Sequence, residues 1–272
     1  MSKYMSQCID LKSDVHNRKI YRTYCLEVVM KYCVIIPARY KSSRLPGKPL
    51  IKLAGIPMII RTYHQCIKAC PSELVYVATD DDRIRKICEA NGIQVLMTSK
   101  DCLTGTDRIA ECANQVDADV YINVQGDEPL FNPKDLEKLI LEAENFPGEV
   151  LNGFCQINDE LLFKSSSIPK VVFRPDYRLL YMSRSAIPSN KEHGFEKAWR
   201  QICAYAFPKK ALVDFASLRK KTVLESIEDI EILRFLELGW EVRMIQLSSD
   251  SIAVDTPEDI HRAESAIKER GL

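Results

Sequence analysis

Four short stretches of the chain gather side chains that could act together on a phosphate. The richest is Pro37-Ala38-Arg39-Tyr40-Lys41-Ser42-Ser43-Arg44-Leu45-Pro46-Gly47-Lys48-Pro49, with four cations, two serine hydroxyls and a glycine directly after a buried-strand signal. Guanidinium forks grip phosphate oxygens bidentately, lysine adds a point charge and loop N–H groups add neutral donors, so a triphosphate could be held and polarised here. Neither GxxxxGK(S/T) nor GxGxxG occurs, which argues against a Walker NTPase and a dinucleotide oxidoreductase. In Ala78-Thr79-Asp80-Asp81-Asp82 a strand gives way to a helix, and capping accounts for at least one of the three carboxylates.

The other two stretches supply paired acids. In Asn123-Val124-Gln125-Gly126-Asp127-Glu128-Pro129, Gly126 permits a tight turn and Asp127 emerges at the carboxyl end of a strand. In Val254-Asp255-Thr256-Pro257-Glu258-Asp259, Asp255 is expected to leave a strand, with Thr256 the better helix cap and Pro257 at a helix start. Mg²⁺ is usually held by one or two carboxylates together with substrate phosphates and waters, so Asp127 and Asp255 form a candidate metal pair. Thr104-Gly105-Thr106-Asp107-Arg108 opens a further helix, whose N-terminus could serve an anion jointly with Arg108. His16, His64, His193 and His261 fall in none of these loops, so no general base is evident.

These loops need a scaffold that brings strand ends together. Short apolar runs at 32–36, 74–78, 93–97 and 120–124 alternate with amphipathic helices near 57–69, 81–90 and 106–115. That rhythm predicts an α/β fold with a doubly wound, mostly parallel sheet, in which ligands bind beyond the carboxyl ends of the strands. The rhythm loosens after about residue 150. Strands at 168–173, 178–181 and 202–207 then predict a small β-rich lobe at about 155–225, before helices near 209–217 and 229–238. Strands at 241–246 and 251–254 and the helix opened by Pro257 return the chain to the main sheet. Residues 1–30 show no clear period and read as a flexible extension, leaving 31–272 as a single domain.

Composition narrows the function. With 272 residues, 13 Pro, 10 Gly and a large Leu, Ile and Val supply, the chain can bury a core and is not a disordered or fibrous one. Thirty-eight basic residues balance 38 acidic ones, so no global field draws the protein to nucleic acid or an anionic membrane, and any anion site is local. No apolar stretch reaches the ~20 residues that a bilayer span needs, and the N-terminus lacks a signal-peptide core, so a cytoplasmic location is expected. The ten cysteines contain no CxxC pair and are expected to be buried thiols rather than disulfides or zinc ligands.

Taken together and in order, PARYKSSRLPGKPL, ATDDDRI, TGTDRIAE, NVQGDEPL, KVVF, YMSRSAIP and VDTPEDI resemble the motifs of the 3-deoxy-D-manno-octulosonate cytidylyltransferases, from about Lys31 to Ile267. Those enzymes make the CMP-activated sugar for lipopolysaccharide or capsule. The resemblance implies a nucleotide-diphospho-sugar transferase-like fold of Rossmann type and transfer of CMP from CTP to the sugar's anomeric hydroxyl, with one or two Mg²⁺ ions. It implies that Arg39, Arg44 and Lys48 bind the CTP phosphates and that Asp127 and Asp255 ligate the metal. Ala38, Ser42, Ser43, Asp80 and Gln125 would frame the nucleotide, and Arg108, Gln125, Arg184, Tyr205 and Glu231 the sugar. It also implies a homodimer joined through the β-rich lobe.

Two positions depart from the family pattern. Gln201 stands where the HLGIYGY segment begins with His, and Ile232 replaces the amide of LEQLR. Both changes would fall at the sugar end, where a lost polar partner alters which substituent is accepted. The alternatives are therefore an 8-amino octulosonate or a sialic-type acid as substrate, and outside enzymes a nucleotide-sugar binding module that has lost catalysis.

Overall fold

A computed structural model describes residues 30–41 and 45–272. Of the extension expected over 1–30, residues 1–29 lie outside the described residues, as do Ser42, Ser43 and Arg44, while Met30 packs against the core. The chain begins with β1 (Tyr32–Ala38), whose YCVIIPA sequence is buried on both faces as a central parallel strand requires. A small ribbon, β2 (Lys52–Leu53) with β3 (Ile56–Pro57), leads into α1 (Met58–Cys66). Next come β4 (Val75–Thr79), α2 (Asp82–Ala90), β5 (Gln94–Met97), α3 (Gly105–Cys112), β6 (Val120–Val124) and α4 (Pro133–Asn145). The chain continues through β7 (Val150–Ile157), α5 (Glu160–Lys164), β8 (Lys170–Phe173), β9 (Leu179–Ser183) and β10 (Ala198–Pro208). It closes with α6 (Lys209–Ser217), α7 (Val223–Glu228), α8 (Ile232–Glu237), β11 (Val242–Gln246) and α9 (Pro257–Glu269).

The main sheet runs β11-β7-β10-β6-β1-β4-β5. Its neighbours pair in parallel except at β10, which lies antiparallel between β6 and β7. Alternate side chains of each strand point to opposite faces. One face packs Val34, Ile36, Val77 and Ile122 against α1, α2 and α4, and the other packs Cys33, Ile35, Tyr121 and Phe207 against α3, α6 and α8. The doubly wound α/β expectation therefore holds.

Several details differ from the sequence reading. Residues 251–254 form no strand, and this extended segment is tied to β6's loop by a bond from the Val254 N–H to the Asp127 carbonyl at 2.9 Å. The helix expected near 229–238 is shortened to α8, because Asp229 sits in the left-handed region at φ 52° and ends a separate helix, α7, just before it. Helix α4 occupies a stretch between 124 and 150 to which the sequence reading assigns no element, and β7 forms where the rhythm is expected to loosen. Of the strands assigned to the β-rich lobe, β8 and β9 form a hairpin at the edge of β10, and β10 itself lies in the central sheet. Six of the described thiols are buried, Cys102 is half-buried and Cys203 is exposed, all of them free.

The helices under the C-terminal strand ends meet on a buried cation. Arg234, 0% exposed, gives Nε and Nη2 to the Glu225 carboxylate at 2.6 and 2.7 Å, and Nη1 to Asp107 at 3.1 Å. Its guanidinium also lies 3.7 Å over the Phe215 ring. One side chain thus joins α3, α6, α7 and α8. Breaking a buried pair from one side leaves the other charge stranded. Arg234→Leu should therefore lower unfolding stability by about 3–5 kcal/mol, read by urea titration.

Candidate active site

The strand ends supply the cavity's floor and the loops its walls. After Ala38 the phosphate-loop candidate returns on itself, with the Gly47 N–H donating to the Tyr40 carbonyl at 2.9 Å. Gly47 has φ 70°, and a Cβ there would stand 3.0 Å from the Tyr40 ring, so glycine is required twice over. The same ring also meets the Arg83 guanidinium, 3.2 Å from its centroid. Arg83 is held by both oxygens of Asp81 at 2.9 and 2.7 Å, and Asp81 also caps α2. Hydrogen bonding from Arg83 draws the Asp81 carboxyl down to about 2.

This return delivers Lys48 to the centre of the site. Its Nζ donates to Asp127 Oδ2 at 2.6 Å and to Asp255 Oδ1 at 3.0 Å, joining residues 79 and 207 positions away. Burial opposes the ammonium, but the two carboxylates outweigh it and the lysine pKa rises. Gly126 lets the Asp127 turn pass close under β1, since a Cβ would come within 2.7 Å of the Pro37 carbonyl. The next residue, Glu128, is buried and bonded to the Ser251 hydroxyl, and burial pushes its carboxyl up to about 7. Asp127 and Asp255 are therefore brought to one point by Lys48, by the Val254–Asp127 backbone bond and by the Glu128–Ser251 bond. Thr256 caps α9 in a box with Asp259, as expected, which leaves the Asp255 side chain to Lys48.

At the other end, α3 carries Arg108, buried to 4% exposure, with its guanidinium against Thr98 Oγ1 and 3.6 Å from Asp80. The N-terminus of α3 was expected to be available to an anion and is instead taken by Glu231. That carboxylate accepts from the Gly105 and Thr106 N–H groups at 3.2 and 2.9 Å and from the Thr106 hydroxyl at 2.5 Å. Helix-terminal N–H groups favour negative charge, so a carboxylate supplied by the chain itself fills the place.

These groups border one cavity of about 320 Å³, lined by Ala38, Arg39, Lys48, Arg108, Gln125, Asp127, Glu231 and Asp255 among others. Lys221 and Asp229, paired with each other, line it as well and were not anticipated, since only the left-handed turn at Asp229 brings them there. Other expected residues stand apart from the lining. Asp80 supports Arg108 from behind. The Arg184 guanidinium is occupied by the carbonyls of Glu228, Ser166 and Asp229 at 2.5, 3.0 and 3.0 Å. Tyr205 is buried behind the wall, and Ile232 is 1% exposed in the core, so its aliphatic side chain takes no polar group from the cavity.

The described lining carries the cations Arg39, Lys48, Arg108 and Lys221 against the carboxylates Asp127, Asp229, Glu231 and Asp255. A triphosphate entering this balanced set brings several uncompensated negative charges. Among the described residues no three His, Cys, Asp or Glu side chains form a closed metal cage. Two carboxylates facing one ammonium instead suit a hard divalent ion that takes its remaining oxygens from phosphates and water. With Lys48→Met the two acids would face each other unneutralised. Its melting temperature in metal-free buffer should fall by several degrees below wild type, and millimolar Mg²⁺ should restore most of the loss; a variant indifferent to Mg²⁺ would contradict the pairing.

Residues 33–246 match the sequence profile of the cytidylyltransferase family. The chain is 39% identical over 243 residues to an 8-amino-3,8-dideoxy-manno-octulosonate cytidylyltransferase of Shewanella halifaxensis, covering 88% of this chain and 99% of that protein. A Shewanella baltica protein of the same name is 41% identical over 244 residues, with the same coverage. Among solved structures, a CMP:2-keto-3-deoxy-manno-octonic acid synthetase complexed with CTP superimposes with a TM-score of 0.83 at 33% identity, over 88% of this chain and 99% of that one. A Leptospira borgpetersenii cytidylyltransferase, 20% identical with a TM-score of 0.61, shares the fold. The matched span runs from β1 to β11 and contains Lys48, Asp127 and Glu231, and with these relatives it shows that the chain belongs to the cytidylyltransferase family.

Proposed function

We propose that the protein transfers the cytidylyl group of CTP to the anomeric hydroxyl of a 3-deoxy-manno-octulosonate acid, releasing pyrophosphate. The observation that carries this reading is one cavity lined by Arg39, Lys48 and the Asp127–Asp255 pair together with Arg108, Gln125 and Glu231. The anomeric hydroxyl gives up its proton to water as its oxygen attacks the α-phosphorus, a P–O bond forms as the bond to the bridging oxygen breaks, and pyrophosphate carries away the electron pair. Negative charge rises on the phosphate oxygens, and Arg39, Lys48 and the Arg44 of the same loop would hold it. Asp127 and Asp255 would hold Mg²⁺, which when bound supplies positive charge to the phosphates and lowers the pKa of the attacking hydroxyl. Ala38 and Asp80, with Ser42 and Ser43, would frame the cytidine. Arg108 would pair with the sugar carboxylate, and Glu231, fixed by α3, would accept from sugar hydroxyls. Positioning and electrostatics suffice, and no covalent intermediate is required.

The sugar itself has two readings. Relatives near 40% identity named for the 8-amino acid favour the 8-amino-3,8-dideoxy form. The 33% identical synthetase named for 2-keto-3-deoxy-manno-octonic acid favours the unsubstituted one. We give the first greater weight. A homodimer, a cytoplasmic location and a place in lipopolysaccharide biosynthesis complete the proposal. In the described residues no helix is long and apolar enough to cross a membrane.

The test is pyrophosphate release from CTP and Mg²⁺ with the 8-amino acid, 3-deoxy-D-manno-octulosonate and N-acetylneuraminate offered side by side. At least tenfold higher kcat/KM for the 8-amino acid is expected. Preference for the 8-hydroxy acid would reverse the order of the two readings, and CTP binding without release would favour a binding module.

A further inference from the structure

Two residues before Glu231, the cavity wall carries an ion pair to which the family resemblance assigns no role. Lys221 Nζ donates to Asp229 Oδ1 at 2.5 Å, and both residues line the cavity. The backbone at Asp229 is held firmly. Glu228, the residue before it, accepts through its carboxylate from the Ser183 hydroxyl and the Arg184 N–H at 2.6 and 2.8 Å. The carbonyls of Glu228 and Asp229 in turn accept from the Arg184 guanidinium at 2.5 and 3.0 Å. The left-handed turn is therefore fixed to β9, while the Asp229 side chain stays 71% exposed.

Of the four carboxylates in the described lining, the other three are committed. Asp127 and Asp255 share Lys48, and Glu231 accepts from the N–H groups of α3. Asp229 is answered instead by the end of a flexible side chain, and that end is a CH₂–NH₃⁺ group. A primary amine on the terminal carbon of a sugar acid is the same group, charged at neutral pH and carrying the same three donors. The hydrogen bond from Lys221, with the charges of Lys221, Arg184 and Arg39, holds the Asp229 carboxyl below its usual range, so an anion faces the cavity.

We propose that Asp229 selects an amino sugar acid: its carboxylate receives the primary ammonium of the substrate in the place that Lys221 occupies. This rests on the transferase reading above and assigns a residue to the difference between the two sugars. The exchange leaves the charge around Asp229 unchanged. Lys221, once displaced, remains beside a cavity into which the triphosphate brings several negative charges for it to meet. A hydroxyl on the same carbon brings no positive charge and would leave the lysine in place. Asp229 thus binds the substrate ammonium and Lys221 competes with it, so removing one or the other acts in opposite directions.

The experiment measures kcat/KM for the 8-amino acid and for 3-deoxy-D-manno-octulosonate, and takes their ratio in wild type, Asp229→Asn and Lys221→Met. Asparagine tolerates the left-handed region as aspartate does, so the turn is kept. Asp229→Asn should lower the ratio, 8-amino over 8-hydroxy, about fivefold, and Lys221→Met should raise it about twofold, the scale of a solvent-exposed ion pair. A purely structural role would move both acids together. A ratio unchanged in Asp229→Asn, or one that falls in Lys221→Met, overturns the inference. Should Asp229→Asn fail to fold, the rise expected of Lys221→Met carries the test. Calorimetric binding of each acid in the presence of CTP without Mg²⁺ gives the same comparison without turnover. A wild type that releases pyrophosphate while Asp229→Asn keeps its ratio overturns this inference alone, and a wild type that releases it with neither octulosonate acid overturns the transferase reading as well.

Discussion

The site depends on one ammonium between two carboxylates. Asp127 and Asp255 come from distant segments, and like charges brought together repel unless a cation sits between them. Lys48 supplies it at 2.6 and 3.0 Å, and three features of the chain make that possible. Gly47 turns the first loop back so that Lys48 enters, Gly126 lets the Asp127 turn pass beneath β1, and Ser251 and Val254 bind the final segment to the Glu128 and Asp127 stretch. A change in any of these would move a charge and not merely a contact.

The opposite end follows the same logic with signs exchanged. Glu231 is an anion fixed by α3 backbone donors, and α3 is in turn fixed by Asp107, which serves both the Thr104 capping box and Arg234. The buried Arg234–Glu225 pair thus reaches the cavity through two steps: it holds α8 against α3, and α3 holds Glu231. Between these ends the lining charges cancel, so binding a triphosphate calls for additional positive charge, and the carboxylate pair is where a divalent ion can supply it. Electrostatic balance therefore links the nucleotide, the metal and the lysine in one equilibrium.

What was legible in the sequence follows from what is local. Asp127 could be recognised because a strand, a glycine and an acid in succession define a strand-end turn, and Lys48 because a cation-rich loop after a buried strand has few other uses. The capping roles of Asp81 and Thr256 are likewise decided within a few residues. Asp229 and Lys221 could not be found this way, since a left-handed aspartate carries no local signal and only the break between α7 and α8 brings the pair to the cavity. Arg184 is expected at the sugar only through the family resemblance, yet tertiary packing surrounds its guanidinium with carbonyls. The hydrogen bond from the buried Gln201 amide to the Tyr205 hydroxyl depends on a register shift between β10 and β7, which neither strand's own sequence announces. The strand expected at 251–254 fails for a related reason: its alternation is apolar enough, but its bond goes to the Asp127 turn and not to a sheet edge.

The most direct test of this account is whether the Asp127–Asp255 pair takes a divalent ion when nucleotide is present. Mn²⁺ titrated into the protein with and without CTP, and followed by water-proton relaxation, reports that binding without relying on turnover. Wild type should form a ternary complex with CTP and Mn²⁺ more tightly than CTP alone binds Mn²⁺, and Asp127→Asn/Asp255→Asn should lose that enhancement while keeping its melting temperature within a few degrees. Equal enhancement in the double variant would contradict the central role given to the two carboxylates.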